Sequence, residues 1–295
     1  MPSLESTLPP ATATVPPPNG ARRRPTMTLR ASSGWVALNL PEIWKFRDLL
    51  FSLAGRDLRL RYKQTALGVV WVVLQPLMAA GIFSFVFGKV ARMPSDGLPY
   101  FLFSYAGLMG WNLFSATVTK VSGSLVGNAH LIAKVFFPRM VLPLSSLPSV
   151  LIDFGVAVAM MAVLLVVYGV APGWGLALLP VWIVILLLLA TGLGLCLASL
   201  MVSYRDVAYV LPVALQILLY ASPIAYAVSA VPVHLRVWYD LNPLAGLLEA
   251  MRWSILGHGT MNWPLLGYSA GISVAVMLLG LFSFKRMERQ FADVI

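Results

Sequence analysis

The stretch FGVAVAMMAVLLVVYGVAPGWGLALLPVWIVILLLLATGLGLCLASLMVSY, Phe154–Tyr204, contains no Asp, Glu, Lys or Arg. It far exceeds the roughly 20 apolar residues an α-helix needs to cross about 30 Å of hydrocarbon. Its middle, Ala171-Pro172-Gly173-Trp174-Gly175, is a turn signal. The run therefore folds back once and supplies two spans, about Met140–Val170 and Leu176–Leu200. Working outward, charge-free runs at Leu67–Phe87, Pro99–Val118, Ala208–Tyr226 and Pro264–Phe284 add four more, making six. Hydrophobic residues make up 59% of the 295-residue chain and charged residues 11%. A soluble domain carries about a quarter charged, so the fold class is an all-α integral membrane protein.

Most of the 21 lysines and arginines fall before the first span, between spans two and three, after span four, or in the C-terminal segment; Lys89, Arg92, Arg236 and Arg252 fall on the other side. Basic loops stay cytoplasmic, so both termini are expected inside. The net charge of +10 is then a topology and anionic-lipid signal, with no folded basic module for nucleic acid. Met1–Ser33, with Pro16-Pro17-Pro18 and Arg22-Arg23-Arg24, reads as a disordered cytoplasmic tail. It lacks the apolar core of a secretory signal. Cys196 sits inside a span, and His130, His234 and His258 lie far apart. No metal site is expected.

Ile43–Lys63 sets Ile43, Phe46, Leu50 and Leu53 at helical spacing beside Arg56, Asp57, Arg59 and Arg61. It is either a helix lying in the cytoplasmic interface or a basic flank that fixes orientation. From Arg59 the pattern alternates at period two, which weakens helix there. In Asn128–Arg139, NAHLIAKVFFPR, Asn128 is placed to cap a helix reaching Phe137, with Pro138 closing it. Leu131, Ile132, Val135, Phe136 and Phe137 beside His130, Lys134 and Arg139 suggest a docking surface, as does Tyr204-Arg205-Asp206. Packing against the membrane surface or the interface helix is the alternative.

On the outer side, Asn242-Pro243 is an N-cap followed by proline at the first helical position. Gly257 ends a run too short to span. Two short helices, about Val233–Leu241 and Pro243–Leu256, either re-enter the bilayer or rest on its outer leaflet. Glu249 and Arg252, three apart, are expected to neutralise one another. Tyr100, Phe103, Trp111 and Phe114 form a stripe on span two, either lining a channel or packing between helices. Asp153, deep in a span, is expected to bond to a Ser, Thr or Asn.

In this order the features resemble the membrane subunit of type 2 ABC exporters, in particular the permeases for lipid-linked polysaccharides such as O antigen, capsule and teichoic acid. The landmarks are Leu67-Gly68-Val69-Val70-Trp71 with Gln75-Pro76-Leu77, Phe137-Pro138-Arg139 with Leu142-Pro143, Tyr204-Arg205-Asp206-Val207, Ser222-Pro223-Ile224 with Tyr226, and Asn242-Pro243-Leu244. The resemblance covers about Leu40 to the C-terminus. It implies a homodimer in the bacterial cytoplasmic (inner) membrane, bound to two copies of a separate ATPase that holds ATP and Mg. It further implies that Asn128–Phe137 is a coupling helix, Ile43–Lys63 an interface helix, and the two outer helices a gate. No G-x-x-x-x-G-K-[ST] occurs in the chain, so ATP hydrolysis is expected in a partner and no cofactor in this chain. A drug or simple lipid is the alternative cargo. A polyprenyl-phosphate-dependent enzyme would need clustered acids, and the eleven acidic residues form no DxD or similar cluster.

Overall fold

The computed structural model describes residues 40–62, 68–226, 232–259 and 261–288. The expected tail Met1–Ser33, together with Lys63, Leu67 and the side chain of Arg61, lies outside the described residues. No strand occurs among the described residues.

Helices α1 (Leu40–Lys45) and α2 (Arg47–Tyr62) break at Phe46. The charge alternation from Arg59 does not end α2, which continues helical to Tyr62. Ile43, Phe46, Leu50 and Leu53 face inward against a cluster that includes Phe137, Met140 and Phe284, and Trp44, Phe51 and Leu60 face outward. The amphipathic reading of this segment is what the packing uses.

Helix α3 (Gly68–Phe83) carries Pro76 inside and continues as a π-helix over Ser84–Val90. Helix α4 (Tyr100–Gly127) has 28 residues, about 42 Å at the helical rise. It runs nine residues past the expected boundary at Val118. Then come α5 (Ala129–Lys134), α6 (Val141–Ser145) and α7 (Leu147–Tyr168). The expected turn follows, leading through a 3-10 turn at Trp174–Leu178 into α8 (Leu179–Ser203).

Helix α9 (Val207–Ala221) stops short of the expected Tyr226. Ser222, extended at φ −106 and ψ 155, precedes Pro223, whose ring disfavours helix at the residue before it. Helices α10 (Val233–Asp240), α11 (Pro243–Leu256) and α12 (Trp263–Met287) complete the chain. Among the described residues, four stretches are long and apolar enough to cross a membrane: Val70–Val90, Val141–Tyr168, Trp174–Ser203 and Trp263–Met287. Helix α4 is long enough but richer in small polar residues, and α9 has only 15 residues.

The bundle is built around α4, buried along most of its length from Leu102 to Leu125. It packs against α11 and α6, and Arg56 of α2 bonds to Asn128 just past its C-terminal end. The tightest approach is between α8 and α12. A Cβ on Gly280 would stand 2.2 Å from the Gly192 carbonyl oxygen, and one on Gly192 would stand 2.5 Å from the Cα of Met277. Between membrane helices, where lipid is as apolar as leucine, such small-residue contact replaces the hydrophobic drive of a soluble core.

Gly280→Leu is therefore expected to lower the detergent melting temperature, by an overpacking cost of about 1–3 kcal/mol. Gly271→Leu on the same helix, where a Cβ meets nothing within 4 Å, should leave it nearly unchanged. A thermal size-exclusion assay compares the two.

Candidate functional site

Two cavities share the α4 wall. The first, about 560 Å³, lies among α2, α4, α6 and α7 and is lined by Asp57, Lys120, Ser124, Asn128 and Ser149 among others. The second, about 710 Å³, lies among α3, α4, α7 and α9 and is lined by Gln75, Trp111, Asn112, Asp153 and Gln216 among others. Thr119 and Lys120 line both.

Asn112, Ser115 and Thr119 fall on one face of α4 by their i, i+3, i+7 spacing. All three line the second cavity, opposite Gln75 of α3 and Gln216 of α9. Both glutamines and Asn112 are exposed in the single chain. An amide held against hydrocarbon without a hydrogen-bond partner costs several kcal/mol, so this polar strip belongs against water or another polar surface. The sequence showed Gln75 and Gln216 as isolated residues. Asn112 and Ser115 lie within the span expected at Pro99–Val118, and the extension of α4 adds Thr119 to their face.

The same extension corrects the reading of Lys120 and Asp153. Lys120, which the span boundary at Val118 places between spans two and three, is carried by α4 alongside α7. There its Nζ donates to Ser149 Oγ at 2.8 Å and lies 3.8 Å from Asp153 Oδ2. Asp153 thus faces a cation rather than only a neutral hydroxyl or amide.

The aromatic stripe divides. Phe103, Phe114 and Trp111 are buried in helix packing, and Tyr100 donates through its hydroxyl to the Ala225 carbonyl. Of the four only Trp111 also lines the second cavity, so the packing alternative describes Phe103 and Phe114 outright.

At the α2 end, helix α5 stops at Lys134, not Phe137, and Val135 is extended at φ −131 and ψ 133. The straightened segment lets Phe137 reach the apolar cluster, leaving it 8% exposed, while Phe136 remains 69% exposed. Leu131 and Ile132 are half-buried against that cluster. Of the segment expected to dock, Lys134, Val135 and Phe136 are the residues left exposed, beside a cavity of about 330 Å³ that Arg139 also lines. Tyr204, Arg205 and Asp206 are exposed at the end of α8, where Val202 joins the cluster that holds Phe137.

Asn128 makes no capping bond with its side chain. Its Oδ1 accepts from Arg56 Nη2 at 2.7 Å, and its Nδ2 donates to the Ser124 carbonyl at 2.9 Å. Arg56 also pairs with Asp57 at 3.0 Å. Arg59 is exposed and bonds to the Gly55 carbonyl of its own helix. Arg139 donates to the Glu288 carbonyl beyond α12.

At the other end, Asn242 caps α11 as expected, its side chain accepting from the Leu244 N–H at 3.0 Å, with Pro243 at the first helical position. Gly257, left-handed at φ 67, closes the helix. Helix α11 is buried in protein along most of its length, whereas α10 exposes Val237 and Trp238. The pair therefore splits into one enclosed helix and one surface helix. Arg252, 7% exposed, stacks its guanidinium 4.1 Å above the Phe103 ring and donates to the Pro223 carbonyl. Among the described residues no ion pair joins it to Glu249, because the guanidinium is turned to the aromatic face and that carbonyl.

Residues 48–256 match the family described as ABC-2 type transporter. The chain belongs to the ABC-2 type transporter family. It is 29% identical over 252 residues to the O-antigen export system permease protein RfbA of Klebsiella pneumoniae, covering 84% of this chain and 95% of that protein. It is 29% identical over 256 residues to the protein of the same name from Myxococcus xanthus, covering 86% and 98%. It is also 25% identical over 243 residues to the polysialic acid transport protein KpsM of Escherichia coli, covering 79% and 91%.

For this ABC-2 chain, Lys120→Met alone removes the cation beside Asp153, whereas Lys120→Met with Asp153→Leu removes both charges. The double variant should be more stable in detergent than the sum of the single variants, with a coupling of about 1 kcal/mol for this half-exposed pair. Additive melting shifts would contradict the pairing.

Proposed function

We propose that this chain is the membrane subunit of an exporter that moves a lipid-linked polysaccharide of the O-antigen, capsule or teichoic acid type across the bacterial cytoplasmic membrane. ATP hydrolysis is supplied by a separate subunit, which binds the ATP and Mg. The observation that carries this reading is the polar strip of Asn112, Ser115 and Thr119 facing Gln75 and Gln216 across a cavity bounded by apolar helices. A polyhydroxylated cargo can exchange its bonds with water for bonds to these groups. The names of the O-antigen and polysialic acid relatives support the same cargo class.

In this reading α3, α4, the α6–α7 unit, α8, α9 and α12 are six spans with both termini inside. The chain works as a homodimer. Two copies facing one another through the outward sides of α3 and α9, where Trp71, Met78, Val213 and Ile217 are exposed, enclose the polar strip that a single copy leaves open. Two ATPase subunits dock on Val135, Phe136 and the Tyr204–Asp206 turn. Helix α2 lies in the interface, and α11 with α10 closes the outer mouth. Because Arg56 bonds Asn128 at the start of α5, a push on α5 reaches α2 and the end of α4 together.

Phe136→Asp should leave membrane insertion and melting temperature within error of the native protein while reducing co-purification of the ATPase at least tenfold. Phe137→Asp, which places a charge in the apolar cluster, should lower the yield of folded protein itself. Affinity purification in mild detergent with mass spectrometry reads both. Undiminished recovery of a P-loop protein with Phe136→Asp would remove the docking assignment, and absence of any such protein from the native complex would remove the exporter reading.

A further inference from the structure

The first cavity is lined by hydroxyls whose hydrogens are already committed. Thr119 donates to the Ser115 carbonyl at 2.8 Å, Ser124 to Val121 at 2.7 Å, Ser145 to Leu142 at 2.8 Å, Ser146 to Pro143 at 2.7 Å and Ser149 to Ser146 at 2.8 Å. This back-bonding to a carbonyl one turn earlier satisfies the hydrogen and leaves the oxygen lone pairs for other partners. Asn128 is committed likewise, its NH₂ donating to Ser124 and its oxygen accepting from Arg56.

Among the described residues, the cavity lining carries one cation, Lys120, and one carboxylate, Asp57. Each is already paired with a group behind the wall, Lys120 with Asp153 and Asp57 with Arg56. Lys120 additionally gives one hydrogen to Ser149. The wall therefore combines many acceptor oxygens with little net charge.

Phosphate and carboxylate bring only acceptors and a negative charge, and would meet lone pairs, the Asp57 carboxylate and a lysine already engaged by Ser149 and Asp153 here. A sugar hydroxyl brings a donor hydrogen with each oxygen and matches an acceptor wall. Resting on the export reading above, and narrowing its cargo to the neutral members of that class, we infer that this cavity is a cargo site that recognises hydroxyl groups of a neutral glycan and disfavours acidic sugars and free phosphate groups. It is a selectivity filter for cargo charge at the α2 end of the path. The polysialic acid carried by one relative's name is an acidic polymer, so this chain is assigned the opposite charge preference.

The test uses the full chain with its ATPase in lipid nanodiscs. Binding is measured by saturation-transfer NMR and thermophoresis with three probes: maltoheptaose, a sialic acid heptamer and inorganic pyrophosphate. Maltoheptaose should bind at least tenfold more tightly than either anion, and Ser145→Ala with Ser149→Ala should weaken it at least fivefold. Equal or tighter binding of the sialic acid heptamer or of pyrophosphate overturns the inference. So does maltoheptaose affinity unchanged in the serine variant, or no maltoheptaose binding by a complex that still exports its native glycan in cells. Loss of the export reading shows separately, as a complex whose deletion leaves the cell-surface glycan intact.

Discussion

A helix with Asn112, Ser115, Thr119 and Lys120 along one side cannot rest that side against hydrocarbon, and the rest of the structure is arranged around this constraint. Helix α7 answers it near the α2 end, with Asp153 and Ser149 placed against Lys120. Helices α3 and α9 answer it farther along with Gln75 and Gln216, across a cavity rather than in contact. The opposite side of α4 is free to pack, and Gly194 of α8 lets Val121 approach closely there. The division of α4 into a packed side and a wet side is the step from fold to transport.

Much of the fold was legible from charge-free length alone. The turn at Ala171–Gly175, the cap at Asn242-Pro243 and the stop at Gly257 are local signals, each set by backbone chemistry of one or two residues, and each lies where the structure has it. The ends of α4, α5 and α9 were less legible. At α4 a charge reads as a loop marker, yet Lys120 stands inside the bundle 3.8 Å from a carboxylate 33 positions away in sequence. At α5 the pull of an apolar cluster on Phe137 outweighed the local signal for helix up to Pro138.

The candidate site was legible in part. Trp111 could be picked out because aromatic stripes have a period, but Phe103 could not be separated from it, since its role is fixed by Arg252 from another helix. Gln75, Asn112 and Gln216 belong to three helices, and nothing in a single segment brings them together. Arg252 and Glu249 share a helix face and still do not pair, because an aromatic ring and the Pro223 carbonyl hold the guanidinium more closely.

The central claim is that the wet side of α4 faces water within the membrane. The direct measurement is thiol accessibility in a Cys196→Ser background, labelling Asn112→Cys and Thr119→Cys in native membranes with a membrane-impermeant reagent. Leu279→Cys on an outward apolar face of α12 serves as the reference. The account predicts labelling of the two α4 positions at least tenfold faster than the α12 position. Equal protection of all three would place the α4 face in hydrocarbon and contradict it.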